Sequence, residues 1–588
     1  MKNQFIYLFL LFSISFNIPL RLNEDISSPY YIVFMNKMIK VPDDGPTING
    51  TAIVIEKPGI YYVSGQSEEG NIVIKSSSVS LYLQNLNLTS YKTAPIIVTS
   101  KSQDVQIINL QDTELNDFED SSTTTGECAV IKILKKCSVS FKNLGTFKLN
   151  GKCKNVIKGL KQTSITFEKS EGEYIINAQK NGISSEHLLE FNTGTYTIST
   201  EEGDGIICSP DEDDTVSLGK ILINDGTFNL HTYHDAFTAA NNIIIFKGNF
   251  DIKTENGYDT TTYDENKSYK GFKLTNNQTG CEIKIYSGTF SFNTADDAFH
   301  SKGDIKILSG NYVIKSKDDG ISTKQNLVLG EKNAPKENLN IEILNSYEAL
   351  EGMTITIYSG KIICTATDDG INSAGESSGF GPGPGGRNHS QRDPFGNDTD
   401  RPHRRNHSEE GSGSEGRRPP SMRGNASYYV SLYDAEVYIY CDGDGIDSNG
   451  NIFVHGGQLN VFSQGNRDNE PIDHDGNFTL FNGEVLGVGS KGMKQIHAGI
   501  KKGNQLYAFH YGAITKNKYL EILNENNELV KEGKITKDIN YIFYSSPKLN
   551  ENYVVYITDE STNTRSKLDV TFGTPESGED DDDINYIK

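Results

Sequence analysis

The residues of this 588-residue chain that could do chemistry are acids, often paired, at regular intervals along the sequence. Each acidic turn follows a segment that begins with glycine nine or ten residues upstream. Three of these offsets are nine residues long: Gly288 to Asp297, Gly310 to Asp319 and Gly360 to Asp369. A constant offset places the acids at one corner of successive structural repeats.

Acids that lie this close together need a counter-ion. Two unit charges about 5 Å apart repel by roughly 3 kcal/mol at an effective dielectric near 20, so a few such contacts rival the stability of a domain. Calcium takes about six to eight oxygen ligands in irregular geometry, so acids of adjacent repeats can share one ion. Asp204 and Asp235 are further candidates for this role. The main predicted calcium ligands are Asp296, Asp297, Asp318, Asp319, Glu348, Glu351, Asp368, Asp369, Asp442, Asp444 and Asp447.

The alternative is that these acids only form turns, because Asp and Gly favour turns without any ligand. That alternative explains Gly320 and Gly370, but it explains neither the doubled acids nor the constant offset. An EF-hand is excluded around Asp442, because Ile446 stands at a ligand position and no Glu follows at the twelfth position.

The elements that must position these acids are short strands. Segments that start with Gly and then alternate in polarity recur from Gly145 to Gly457, and three of the intervals between consecutive copies are 22 residues. Such alternation is typical of strands with one buried face, and a strand of this length buries its face only by stacking on another copy. We therefore predict an all-β parallel β-helix. A β-sandwich, the alternative, would show hairpin signals about every 8 to 12 residues instead.

The segments outside the repeats differ in composition. Residues 5–16 form an apolar run after one lysine, which is typical of a secretory signal and too short to span a bilayer. Residues 374–426 contain eight arginines and almost no aliphatic side chains, which predicts a disordered insertion. We predict a signal peptide at 1–20, a β-helix at 24–503 with an inserted loop at 376–427, a small antiparallel β module capping the solenoid at 504–574, and an acidic tail at 575–588.

Composition and charge argue against several classes of function. A net charge of -22 opposes nucleic-acid binding, and no second apolar run of membrane length follows the first, so we expect a secreted chain without a membrane span. The seven cysteines include no C-x-x-C pair, so zinc is unsupported and at least one thiol stays unpaired within the chain. Glycosylation sequons begin at Asn49, Asn87, Asn266, Asn277, Asn388, Asn397, Asn406, Asn425 and Asn477.

Several strings resemble those of bacterial secreted carbohydrate-binding proteins that have a pectate-lyase-like architecture. The strings are Ala295-Asp-Asp-Ala-Phe-His300, Thr367-Asp-Asp-Gly-Ile-Asn372, Ser346-Tyr-Glu-Ala-Leu-Glu-Gly352, Gly59-Ile-Tyr-Tyr-Val-Ser-Gly65 and Leu83-Gln-Asn-Leu-Asn-Leu88. The resemblance implies a right-handed parallel β-helix that binds calcium, polygalacturonate and cellulose, and it does not imply cleavage. The sequence departs from the family strings at Ala298, at Asn181-Gly-Ile and at Lys270-Gly-Phe-Lys273, which weakens the expectation of calcium in the first and middle repeats.

Three functions remain open on these grounds. The first is binding of an acidic polysaccharide through calcium. A neutral sugar is disfavoured because Trp is absent and most of the Tyr and Phe residues are expected to stack inside the solenoid. The second is a structural or adhesive surface protein that calcium only stabilises. The third is a polysaccharide lyase of the pectate-lyase type, for which Lys302 and Lys317 are candidate bases.

Overall fold

The structure is a computed structural model that describes residues 28–99, 102–119, 128–210, 218–261, 264, 266–374, 427–463, 469–492, 500–502 and 505–575. The predicted signal peptide, nearly all of the predicted loop at 376–427 and nearly all of the acidic tail lie outside these residues. Within them, no helix has the length and apolar character that crossing a membrane requires.

The chain is all-β and coils through three parallel ladders. The first ladder contains Val105–Asn109, Ser138–Asn143, Ser164–Phe167, Leu188–Phe191, Lys220–Ile223, Asn242–Ile245, Glu282–Ile285, Asp304–Ile307, Asn326–Leu329, Asn451–Val454, Phe478–Leu480 and Ile500–Lys502. The second ladder contains Thr113–Asp117, Thr146–Gly151, Glu173–Ala178, Thr195–Thr200, Thr227–Thr232, Asn249–Thr254, Thr289–Thr294, Gly310–Ser316, Leu339–Asn345, Gln458–Phe462 and Glu484–Gly489. Four long strands run through both ladders: Gly59–Ser67, Val79–Ser90, Thr354–Ala366 and Tyr429–Cys441.

The third ladder completes each coil and consists of shorter strands. Its members are Ala52–Ile55, Asn71–Ile74, Ile96–Val98, Ala129–Ile133, Asn155–Gly159, Ile183–Ser185, Ile206–Cys208, Phe237–Ala239, Phe272–Leu274, Phe299–Ser301, Ile321–Thr323, Leu350–Glu351, Ile371–Ser373, Ile446–Ser448 and Asp473–His474. A 3₁₀ turn at Lys336–Asn338 lies between the first and second ladders of one coil. This arrangement is consistent with a β-solenoid, so the predicted all-β stack of parallel strands is confirmed at that level.

The two ends of the solenoid pair differently. The N-terminal strands are Tyr30–Met35, Met38–Lys40 and Thr47–Asn49. The C-terminal strands are Tyr507–Ile514, Lys518–Leu523, Leu529–Ile535, Ile539–Ser545, Val554–Asp559, Arg565–Lys567 and Thr571–Gly573. Ile539–Ser545 pairs antiparallel with Glu484–Gly489, the last strand of the second ladder, so it covers an edge that could otherwise add further strands.

The core runs along the solenoid as stacks of like residues. In the second ladder, Phe228, Phe250 and Phe290 are buried, and their ring centroids are 5.0 and 4.5 Å apart. Gly310 shows why glycine begins a second-ladder repeat. Its φ is +116°, and an added Cβ would lie 2.6 Å from the Gly288 carbonyl oxygen. In the repeat pattern, the alternating apolar residues thus mark the buried strand face, and the glycine marks the tight corner before it.

Cysteine pairing is also defined for the described residues. Cys128 and Cys153 form a disulfide, and the other five cysteines are buried thiols. Glu119 lies beside the disulfide, but bonded sulfurs are not the thiolate ligands that a zinc site needs.

Candidate metal centre

The predicted acids lie in the turn between the second and third ladders. One position in this turn recurs in successive coils, and we call the stack of residues at this position the acidic column. The carbonyl of each column residue accepts a hydrogen bond from the coil below, where the donor is the N–H of the residue that follows the column residue. For example, the Ala298 N–H donates to Asp319 and the Gly320 N–H donates to Glu348. In chain order the column contains Asp204, Asp235, Lys270, Asp297, Asp319, Glu348, Asp369, Asp444 and Glu470.

Side chains also connect the coils along this column. Oδ1 of Asp297 accepts the Asp319 N–H at 2.9 Å, and Oδ1 of Asp319 accepts the Glu348 N–H at 3.1 Å. Oδ1 of Asp369 likewise accepts the Asp444 N–H at 2.7 Å. One oxygen of each of these carboxylates therefore has a structural partner in the next coil, and in Asp319 and Asp369 the other oxygen is the better candidate for a ligand atom.

An uncharged residue makes the same connection at the lower end. The Asn181 Oδ1 accepts the Asp204 N–H at 2.9 Å. The coil-to-coil hydrogen bond needs only a short side chain with an acceptor oxygen, so turn formation does not explain why the other positions are acids.

The lower part of the column contains its own cations. Nζ of Lys270 lies 2.7 Å from Asp296 Oδ1 and 3.1 Å from Asp297 Oδ2, and Nζ of Lys273 lies 3.2 Å from Asp235 Oδ2. Nδ1 of His300 is 2.8 Å from Asp297 Oδ2. Burial opposes ionisation of these acids, but the lysines prevail and lower the pKa of both Asp235 and Asp297.

Two groups of acids lie higher in the column. The first is Asp319, Glu348 and Glu351, and in it one ligand atom of each residue lies within 4.8 Å of the others. Nζ of Lys324 is 3.2 Å from Glu351 Oε1, and Asn372 Nδ2 donates to Glu348 Oε1 at 3.0 Å. Burial, and then repulsion by neighbouring acids, raises the pKa of both Asp319 and Glu348 well above the usual range.

The second group is Asp369, Asp444 and Asp447, again with ligand atoms within 4.8 Å of one another. Burial and neighbouring acids raise the pKa of Asp369 and of Asp444 to about 8. Ionised acids are therefore unfavourable in this part of the column unless a cation joins them.

The predicted ligands do not all gather in these groups. Asp296, Asp297 and Asp318 form a further acidic group, but the Lys270 ammonium already lies within it. Asp204 lies in the column, where burial and Asp235 raise its pKa to about 7. Two of the main predicted ligands lie outside the three groups: Asp368, which is hydrogen-bonded to Tyr347, and Asp442, which pairs with Lys537. The further candidates Asp204 and Asp235 also lie outside them.

The side chain of Lys317, one of the two candidate bases, is held by a backbone carbonyl. Lys317 lies just past the end of Gly310–Ser316, and its Nζ donates to the Thr260 carbonyl at 2.7 Å. Lys302 follows the strand Phe299–Ser301, and its backbone N–H donates to the Leu274 carbonyl.

Sequence reasoning missed several residues of the site. His300 and Asn372 end two of the doubled-acid strings and Glu470 belongs to none of them, and the structure places all three among the acids. The signal for Glu470 is its position two residues before Ile472, the same spacing that separates Asp444 from Ile446. Of the predicted glycosylation sites, Asn49, Asn87, Asn266 and Asn277 are exposed and Asn477 is half-buried, whereas the other four lie outside the described residues.

Residues 49–320 match the model of a family described as "Carbohydrate-binding domain-containing protein". A protein of Acetivibrio thermocellus with the same description is 27% identical over 145 residues, which cover 23% of this chain and 50% of that protein. The chain thus spans half the length of the curated relative that it matches. A solved chain described as a polysaccharide lyase-like protein from C. thermocellum, gadolinium derivative, aligns with a TM-score of 0.35 at 20% identity, covering 44% of this chain and 97% of that one.

Proposed function

We propose that this protein is a secreted carbohydrate-binding protein, a right-handed parallel β-helix whose acidic column holds calcium and through it an acidic polysaccharide such as polygalacturonate. The observation that carries the proposal is the pair of upper acidic groups, Asp319/Glu348/Glu351 and Asp369/Asp444/Asp447. The match of residues 49–320 to a carbohydrate-binding domain model supports the choice of ligand class.

The spacing within these groups suits calcium. Calcium–oxygen distances are about 2.4 Å, so two ligand oxygens on opposite sides of one ion are about 4.8 Å apart. The ligand atoms of each upper group lie within 4.8 Å of one another. One oxygen of each carboxylate can therefore approach a single ion, while Oδ1 of Asp319 and Oδ1 of Asp369 keep their hydrogen bonds to the next coil.

The electrostatics favour the same ion. The raised pKa values of Asp369 and Asp444 mean that these acids resist ionisation at neutral pH when no cation is bound. A divalent cation reverses that preference, because it attracts the ionised form of each ligand. Calcium in such a group keeps coordination positions for outside oxygens, so a uronate carboxylate can complete its shell.

The proposed location follows from two features. Residues 1–20 have the composition of a secretory signal, and Cys128–Cys153 is a disulfide of the kind that persists in oxidising compartments. A lyase has less support than binding, since the Lys317 Nζ donates to the Thr260 carbonyl at 2.7 Å and is thus engaged within the fold.

The test is retention on a polygalacturonate matrix with calcium and with excess chelator, together with calcium titration by calorimetry. We expect calcium-dependent retention, and we expect Asp319→Asn and Asp369→Asn each to weaken calcium binding. Glu532→Gln changes an exposed acid of the C-terminal module and serves as the control. Equal retention in chelator would contradict the calcium bridge, and equal loss in all three variants would show general charge screening instead.

A further inference from the structure

A second column of side chains runs along a different corner, between the first and second ladders. Its members directly follow the last residue of each first-ladder segment, and parallel register keeps them in line. From the strand Asn242–Ile245 onward they are Phe246, Tyr286, Leu308, Gly330 and Tyr358. The column then continues through Tyr433, His455 and Phe481. We call it the outer column.

The aromatic members of the outer column stack on the outside of the solenoid. The ring centroids of Phe246 and Tyr286 are 4.9 Å apart, and Phe246 is 44% exposed. Beyond the glycine, Tyr358 and Tyr433 are 5.0 Å apart, and Tyr433 and His455 are 4.4 Å apart. At these separations nothing can enter between neighbouring rings. These rings belong to the minority of Tyr and Phe residues that do not stack inside the solenoid.

Gly330 interrupts the outer column, because it contributes no side chain between Leu308 and Tyr358. These two residues are two coils apart, which is about 9.6 Å at a strand spacing of about 4.8 Å. A flat ring in van der Waals contact with both neighbours needs about 7 to 8 Å, at about 3.5 to 4.0 Å per contact. Leu308, Gly330 and Tyr358 line one surface cavity, so this gap is open and has room for one ring beside Tyr358.

The same coil carries an insertion that walls this opening. Elsewhere in the described coils two to five residues, most often three, separate the first-ladder strand from the second, but here residues 330–338 do so. The insertion is fixed by Lys336, whose Nζ lies 3.3 Å from Asp434 Oδ1. It is also fixed by Ser359, whose Oγ donates to the Glu331 carbonyl at 3.1 Å.

The result is a surface cavity of about 650 Å³. Leu308, Tyr358 and Pro335 give it apolar surfaces, and Asn333 and Asn338 add amide groups. Glu331 and Lys332 contribute one charge of each sign, so the lining has no net charge. A volume in the usual range of about 300 to 1,000 Å³, an open aromatic face and a few polar groups are the features of a small-molecule site.

We propose that this cavity binds one neutral pyranose unit, stacked on Tyr358 and separate from the acidic column. The C–H face of a pyranose ring packs against the tyrosine ring, and the Asn333 and Asn338 amides accept and donate to its hydroxyl groups. This proposal extends the proposed carbohydrate binding to a second subsite, but it needs neither calcium nor an acidic sugar. Gly330 itself is unsuited to the test, because its φ is +74° and an added Cβ would collide with the Ser359 carbonyl oxygen.

The test is calorimetric titration of the full chain with a panel of neutral oligosaccharides of gluco-, galacto- and manno-type, in excess chelator. Tyr358→Ala removes the stacking face, and Tyr286→Ala is the matched control in the same column, away from the cavity. We expect at least one neutral oligosaccharide to bind, Tyr358→Ala to weaken it about tenfold or more, and Tyr286→Ala to leave its Kd unchanged. Thermal unfolding checks that both variants fold.

The outcomes separate this subsite from the calcium proposal. Calcium-dependent retention on polygalacturonate without any binding of neutral oligosaccharides would overturn the subsite alone. Neutral binding that persists in chelator, without polygalacturonate retention, would support the subsite and overturn the calcium bridge alone. Equal loss in Tyr358→Ala and Tyr286→Ala would also overturn the subsite, because the cavity would then not be the place of binding.

Discussion

Lys270 occupies the acidic column one coil below Asp297, and its Nζ lies 3.1 Å from Asp297 Oδ2. The same ammonium lies 2.7 Å from Asp296 Oδ1, and the lysine side chain is 13% exposed. One buried lysine thus supplies, from within the fold, the positive charge that neutralises Asp296 and Asp297. In the upper part of the column, Lys324 Nζ lies 3.2 Å from Glu351 Oε1, but the pKa of Asp319 and of Glu348 stays raised, so these acids can still be neutralised by an added cation.

Lys270→Met tests this internal counter-ion. Removal of one partner of a buried ion pair leaves an uncompensated charge, so we expect a loss of about 3 to 5 kcal/mol in the free energy of unfolding. Lys247→Met is the matched control, because Lys247 pairs with Asp225 at 2.8 Å while 64% exposed, and it should change stability by about 1 kcal/mol or less. Chemical denaturation in chelator measures both.

Calcium should partly restore the Lys270→Met variant, since Asp296, Asp297 and Asp318 already lie within ligand distance of one another. A stability change no larger than that of Lys247→Met would contradict the role of Lys270.

Asp319→Asn and Asp319→Ala separate the two roles of a column carboxylate. Asparagine keeps an Oδ1 that can accept the Glu348 N–H, as Asn181 does for the Asp204 N–H, whereas alanine loses it. In chelator we expect the Asn variant to be at least as stable as the natural protein, because repulsion with Glu348 is reduced. The Ala variant should be about 1 kcal/mol less stable than the Asn variant, the usual contribution of one hydrogen bond.

Both Asp319 variants should lose part of the rise in melting temperature that calcium produces. Scanning calorimetry with and without calcium measures this. If the Asn variant in chelator is as destabilised as the Ala variant, the carboxylate charge itself contributes to the fold and the distinction is wrong.

Asp117, which lies outside the acidic column, should make the stability of the fold depend on pH. It is fully buried, its Oδ1 accepts the Glu119 N–H at 3.0 Å, and burial raises its pKa to about 6 from an ordinary value of 3.8. Because the folded pKa lies above the unfolded one, the favourable contribution of the protonated acid is complete below about pH 4. It is lost as the pH rises through 6.

Asp117→Asn should therefore stabilise the protein above pH 7 by up to about 3 kcal/mol, at about 1.4 kcal/mol for each unit of the shift. At pH 4 the variant and the natural protein should be similar. Asp112→Asn is the control, since Asp112 is exposed and also accepts a backbone N–H, from Thr146 at 3.1 Å. A stability difference for Asp117→Asn that does not change between pH 4 and 8 would rule out titration of this acid.

The sequence predicted the second ladder and the position of the acids well, because both repeat at fixed spacing. The segment that starts at Gly288 and the acid at Asp297 recur one coil later as Gly310 and Asp319, and the structure aligns these copies in register. A repeat of this kind encodes neighbour relations directly, since each copy stacks on the next.

The features that the sequence did not predict depend on side-chain direction or on unequal coil lengths. That Lys270 neutralises Asp296 and Asp297 requires knowing that its ammonium points up the column rather than into solvent. The outer column was hidden because Tyr358 and Tyr433 are 75 residues apart in the chain, with residues 375–426 between them. Only the parallel pairing of Thr354–Ala366 with Tyr429–Cys441 brings their rings together.

Thiol reactivity tests the cysteine pairing. Cys137, Cys208, Cys281, Cys364 and Cys441 are buried thiols, and burial raises the pKa of Cys208 and Cys364 to about 12, so little thiolate is available for alkylation in the folded protein. We expect iodoacetamide to modify none of these five in the native state, five after unfolding without reductant, and seven after unfolding with reductant. Intact-mass spectrometry counts the adducts. Seven adducts after unfolding without reductant would show that Cys128 and Cys153 are not joined in solution, and rapid native labelling would contradict the burial of the five thiols.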